Sequence, residues 1–168
     1  MIELSPINGW TAMDPNGLLM PWYTSGALEV ITGIDWHGKH VFEYGSGNST
    51  IWYRSKGAVV FGVDHDKEWE IPGIRIEPER LPYINRIHWH QHGFDLIAID
   101  GLFRDECLEH ALQKINQGGI IVIDNWFQPS AGWPYWPKSC DLLAIKKLPH
   151  TVYREAKHID WASLIIQC

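Results

Sequence analysis

The residues in this sequence able to do chemistry are carboxylates and glycines standing at the ends of apolar runs. Glu43-Tyr44-Gly45-Ser46-Gly47 closes one run, Asp64 the next, Asp100-Gly101 a third and Asp124-Asn125 a fourth. Glycines allow the backbone to turn sharply and to approach a ligand closely. A carboxylate about 20 residues past such a loop, at the end of a second strand, can accept both hydroxyls of a ribose. Dinucleotide binding asks for a third glycine or alanine, and Thr50 stands in that place. Asn48-Ser49-Thr50 is good helix-capping chemistry but crowds a pyrophosphate. Glu43, read as part of the loop, repels an anionic ligand and favours a cationic one. The pattern therefore points away from NAD and towards a ligand with a ribose and positive charge.

These residues need strands that end on one edge. Lys39 to Tyr44 reads as a strand, Ser49 to Lys56 as a helix stopped by Gly57, and Ala58 to Val63 as a buried strand. Ile74 to Ile76 is a short strand, Tyr83 to His92 a weak helix, and Phe94 to Asp100 another buried strand. Asp105 to Asn116 is a helix closed by Gly118-Gly119, and Ile120 to Asp124 is the next strand. Ser25 to Ile34 precedes them as a helix with Ser25 at its N-cap. Thr151 to Arg154 and Ala162 to Ile166 have no helical pattern between them and read as an antiparallel hairpin. The alternation predicts an α/β fold, Rossmann-like, with a mainly parallel sheet and helices on both faces. One domain over 1–168 is expected, with an irregular arm over 1–24 and a tryptophan- and proline-rich loop over 126–149.

Composition limits the function. The chain has 168 residues, 45% of them hydrophobic, with a net charge of −6, which argues against a general nucleic-acid binder. The longest apolar runs are about five residues, far short of a membrane span, and no signal peptide is evident. Cys107, Cys140 and Cys168 have no zinc or redox spacing and read as reduced thiols of a cytoplasmic protein. Of ten tryptophans, four stand outside the core pattern, in Met20–Tyr23 and Asn125–Trp136. Met13, Met20, Trp22, Tyr23, Trp126, Phe127, Trp133, Tyr135 and Trp136 are candidates to close over a pocket; core packing or a dimer face is the competing account.

The stretch VFEYGSGNSTIWYRSKGAVVFGVDHDKEW (Val41 to Trp69) resembles the first half of class I S-adenosylmethionine-dependent methyltransferases. It is most similar to small bacterial and phage-type members with an E-x-G-S-G-x-S-T loop and a V-[DE]-H-D strand end. FDLIAIDGLFRDECLEHALQKINQGGIIVIDN resembles their second half, so the likeness spans Lys39 to Asn125. It implies that Glu43 lies near the methionine part of the cofactor, that Gly45 and Gly47 are the loop glycines, and that Asp64 is the ribose carboxylate. Ser46, Ser49, Thr50, His65 and Asp100 complete the expected cofactor contacts. Only nine residues separate Asp64 from Ile74, so the usual helix between the second and third strands is nearly absent and the adenine contacts stay unassigned.

Asp100, Asp124 and Asn125 are the expected catalytic residues. Their arrangement resembles the magnesium site of catechol-type O-methyltransferases, and hard oxygen ligands suit that ion. Ordinary loop capping is the alternative, as is Asp100 alone as a general base or as the partner of the cofactor's ammonium. His88, His90 and His92 alternate and are a weaker metal candidate. The expectation is methyl transfer to oxygen or nitrogen of a small molecule, with no nucleic acid, no membrane, and a homodimer left open. A non-catalytic cofactor-binding or accessory module on the same fold is the alternative.

Overall fold

The computed structural model describes residues 4–5, 11–14, 16–126, 147–155 and 158–168, with side chains in the final strand from Trp161 onward. Two short strands, β1 (Leu4–Ser5) and β2 (Thr11–Ala12), pair antiparallel in the arm. The main elements are α1 (Ser25–Thr32), β3 (His40–Tyr44), α2 (Asn48–Ser55), β4 (Val59–Asp64), β5 (Ile74–Ile76), α3 (Arg80–Asn85), β6 (Phe94–Ile99), α4 (Arg104–Lys114), β7 (Ile115–Ile123), β8 (His150–Glu155) and β9 (His158–Gln167).

The seven-stranded sheet has the order β5-β4-β3-β6-β7-β9-β8. β3 to β7 pair in parallel, and β9 runs antiparallel to both neighbours, so the expected hairpin is present. Strand order reverses between β3 and β6. Ligands of open α/β sheets bind in the crevice outside the strand ends at that switch.

Side chains alternate across each strand, and the two faces take different helices. Val41, Val60, Leu96, Ala98, Val122 and Ile165 pack under α1 and α2. Phe42, Tyr44, Val63, Ile97, Ile99 and Ile121 pack under α3 and α4.

Local differences from the sequence expectation have local causes. The N-cap of α1 is Thr24 and makes no side-chain cap. The Ser25 N–H instead donates to the buried Glu155 carboxylate from β8 (3.0 Å), which satisfies one end group and places negative charge at the helix N-terminus. The helix expected over Tyr83 to His92 is α3 followed by a 3-10 turn at Arg86–Trp89. α4 stops at Lys114, and β7 begins at Ile115 rather than Ile120 because Ile115 pairs with Phe94 ahead of an irregularity in the register. Cys107 and Cys168 are free thiols, while Cys140 and most of the 126–149 loop lie outside the described residues. Among the described residues no helix is long and apolar enough to cross a membrane.

Candidate functional site

The carboxyl ends of β3, β4, β6 and β7 bring the predicted acids to one edge. Gly45 follows β3 with φ +96°, a region other residues rarely adopt. A Cβ there would stand 2.7 Å from the Gly101 nitrogen, and one on Gly101 would overlap the Tyr83 hydroxyl. The two glycines therefore let β3 and β6 close on each other at the switch. The Asp100 and Gly101 N–H groups both donate to the Tyr44 carbonyl (2.8 and 2.7 Å).

Glu43 is not in the loop. It is the penultimate residue of β3, on the α1/α2 face, and is fully buried. One carboxylate oxygen accepts from the Thr50 hydroxyl, which itself accepts from Gly47 N–H (3.2 Å). Its other oxygen, Oε1, has no hydrogen-bond partner. Burial raises the Glu43 pKa to about 7; the Ser49 and Thr50 hydroxyls oppose that rise. At neutral pH its charge is thus only partly present, so repulsion of an anion from this position is weaker than the sequence implies. Thr50 is placed beneath the loop, against Glu43.

Asp64 ends β4 and is buried. Its Oδ2 accepts from Ser46 N–H (2.7 Å) and the Ser46 hydroxyl (3.0 Å), and its Oδ1 from Asp66 N–H (2.9 Å), with His65 Nδ1 at 3.2 Å. Asp64 is therefore also the staple of the glycine loop, a role its position in the sequence does not show. The Ser46 hydroxyl can instead donate to the Trp69 carbonyl (3.0 Å), which opens one acceptor site on Asp64.

Arg104 is the residue that sequence reasoning missed. It opens α4, is 4% exposed, and ties β6 to β7. Its guanidinium donates to the Asp100, Gly101 and Asp124 carbonyls and to Asn125 Oδ1 (2.8 Å), and stands 3.1 Å from Asp100 Oδ1. The signal was a lone arginine directly after Asp100-Gly101-Leu102-Phe103. Asn125 and Phe103, both at positive φ (50° and 51°), bracket it.

The three residues of the expected metal site all have protein partners. The Asp124 carboxylate is engaged by β9: it accepts from the Ser163 hydroxyl (2.6 Å) and Trp161 Nε1 (3.2 Å). Burial, then the Asp100 charge, raises its pKa to about 8. Asp100 and Asn125 each hold Arg104, so a fixed guanidinium occupies the place a dication would need. Among the described residues no group of three His, Cys, Asp or Glu could hold a metal ion. The histidine run divides as well: His88 pairs with His110 (2.7 Å), while His90 and His92 pack on Phe61 and Phe94. Around Asp100, Asp124 and Asn125 the structure shows an arginine-centred knot, and nothing in it supports magnesium there.

The aromatic expectation also divides. Met20 and Tyr23 are buried under α1 and α2, Trp22 is 51% exposed, and Trp126 packs on the opposite core. Phe127, Trp133, Tyr135 and Trp136 lie outside the described residues.

No family model matches the chain, and no curated protein matches it in sequence. Solved structures do match in shape. An O-methyltransferase from Bacillus cereus in complex with SAH superposes with a TM-score of 0.62 at 17% identity, over 84% of this chain and 79% of that one. The O-methyltransferase TomG from Streptomyces achromogenes, in complex with SAM, gives 0.61 at 14% identity, over 90% and 82%. An rRNA methylase from Streptococcus thermophilus gives 0.57 at 9% identity, over 84% and 93%. The chain has the fold of the S-adenosylmethionine-dependent methyltransferases.

Residues at the edge of this methyltransferase fold fit that cofactor on two observations. Glu43 Oε1 is a buried acceptor lacking a donor, and an ammonium is a donor. The Tyr23 and Tyr53 hydroxyls, in the same electrostatic neighbourhood, are likewise buried and face each other. The glycine loop supplies a close approach that a side chain at Gly45 would fill.

Proposed function

We propose that the chain transfers the methyl group of S-adenosylmethionine to an oxygen or nitrogen of a small molecule. The observation that carries this reading is the unpartnered, buried Glu43 Oε1 beneath a glycine loop at the topological switch. When bound, the cofactor supplies an electrophilic methyl group. Glu43 takes the ammonium end. Asp64 accepts the ribose hydroxyls once the Ser46 hydroxyl turns to the Trp69 carbonyl, with His65 at the rim.

Asp100 is the acid at this edge with access to solvent, its side chain 38% exposed. Burial and the charge of Asp64 raise its pKa, and Arg104 lowers it. Such a carboxylate suits the general base that accepts the acceptor's proton. Arg104 is a positioning residue: it fixes the Asp100 side chain and both strand ends. The net charge of −6 favours a small acceptor over RNA. Cys107 and Cys168, free thiols among the described residues, fit a reducing, cytoplasmic setting.

One observation favours a second reading, a cofactor-binding module without turnover. Asp64, Asp124 and Asp100 are all engaged within the protein, Asp100 by Arg104, so each must give up a contact to act on a substrate. Incubation with labelled cofactor and a panel of phenols, amines and RNA separates the readings. Methylation of a phenol or amine, undiminished by chelator, is expected. Cofactor binding with no product from any acceptor supports the module instead.

A further inference from the structure

The sheet edge remote from β8 is stepped. β4 runs from Val59 to Asp64, but β5 pairs only with Gly62 to Asp64. The nine-residue crossover holds no helix longer than a single 3-10 turn, Lys67–Trp69, so β5 leaves the step beside Val59 to Phe61 uncovered, and the Arg54 guanidinium from α2 reaches in to donate to the Val60 carbonyl (3.2 Å). A cavity of about 760 Å³ occupies it. It lies towards the amino-terminal half of the sheet, since His90 on its wall precedes the start of β6. The cofactor edge is at the other end of these strands.

The wall has a composition the fold does not require. Arg75 stands opposite Val63, on the face that also carries Phe61, and Arg86 enters from the 3-10 turn after α3. The charge of Arg75 acts against that of Arg86, whose pKa is lowered first by burial and then by Arg75. Neither guanidinium has a carboxylate within ion-pair distance among the described residues. Glu70 also lines the cavity, beyond ion-pair distance of both, and Glu77 acts on Arg86 from further off. Arg86 lies over the Trp89 ring at 4.3 Å, and that ring is 73% exposed. Phe61 and Ile71 supply an apolar wall.

Two cations on one wall of a cavity, beside the apolar Phe61 and without a carboxylate in ion-pair distance, favour an anion between them. Arginine forks match phosphate oxygens in pairs, and phosphate charge removes the repulsion. We propose that this notch is a second ligand site, for a small phosphomonoester carrying a flat ring, held by Arg75 and Arg86 with its ring against Phe61. Nothing in this site depends on the cofactor edge.

Titration calorimetry with phenyl phosphate tests it, with phenol, inorganic phosphate and a short single-stranded RNA as comparisons. Phenyl phosphate is expected to bind at one site and more tightly than inorganic phosphate, while phenol shows no heat. Arg75→Gln or Arg86→Gln should weaken it at least tenfold, and the double variant should abolish it, with circular dichroism unchanged. S-adenosylhomocysteine should not compete. No heat from millimolar phenyl phosphate overturns the site. So does binding that persists in the folded double variant, competition by S-adenosylhomocysteine, or binding of RNA alone.

Discussion

At the level of single residues, Asp64 and Glu43 act differently from a carboxylate that merely awaits a ligand. Asp64→Ala would release Ser46 as well as lose a ribose contact, so the cleaner variant is Asp64→Asn, which keeps the shape. It should weaken S-adenosylhomocysteine binding by about 1.5–3 kcal/mol, the scale of a lost charge-assisted hydrogen bond, and also lower the melting temperature, because the Asn side-chain N–H must then face the Ser46 or the Asp66 N–H. Binding calorimetry beside a thermal melt checks both parts. Asp100→Asn should lower kcat by about 10²–10⁴ while leaving the cofactor's Kd within about twofold, as removal of a general base does. The strand-end acids were legible in the sequence because each closes an apolar run. Their partners were not: Ser163 and Trp161 lie far along the chain from Asp124, and only the antiparallel pairing of β9 with β7 brings them beside it.

Among the elements, the glycine loop and the Arg104 knot hold the edge together. Gly45→Ala would place a methyl group against Gly101 backbone at a φ disfavoured for alanine, and neither backbone can yield without parting β3 from β6. Loss of cofactor binding is expected together with a lower melting temperature. Arg104→Met removes a guanidinium that satisfies several strand-end acceptors. It should cost about 3 kcal/mol, because the carbonyls and Asp100 are left without their donor; denaturant unfolding measures it. The strands were readable because parallel strands buried on both faces are continuous apolar runs. Arg104 was not, because an arginine in Phe103-Arg104-Asp105-Glu106 reads as an ordinary solvated helix start, and its burial follows from the fold alone. The early start of β7 was hidden for a related reason: Asn116-Gln117-Gly118 carries no apolar alternation, and pairing with β6 imposes the strand.

Across the whole molecule, buried acids make stability depend on pH. Glu43 and Asp124 have folded pKa values raised to about 7 and about 8, against about 4 in an unfolded chain. The native state therefore keeps protons that the unfolded chain has released, so stability falls as pH rises through those values and levels off above them. His90, lowered to about 4 by burial, acts the other way only below the ordinary histidine range near 6.5. The clean window is about pH 6.5 to 8. There the melting temperature should fall with pH, and Glu43→Gln with Asp124→Asn should flatten the slope.

The same property of Glu43 gives the most direct test of the central claim, that this edge holds S-adenosylmethionine by its ammonium. The measurement is calorimetric titration with S-adenosylhomocysteine between pH 6 and 8.5, in buffers of different ionisation enthalpy. A bound cation needs Glu43 ionised, so affinity should fall up to about tenfold per unit below pH 7 and be flat above pH 8. Close to one proton should be released per ligand bound at pH 6, and Glu43→Gln should remove both effects while weakening binding at pH 8. No binding at millimolar ligand, or binding with no proton release and no response to Glu43→Gln, would contradict the account.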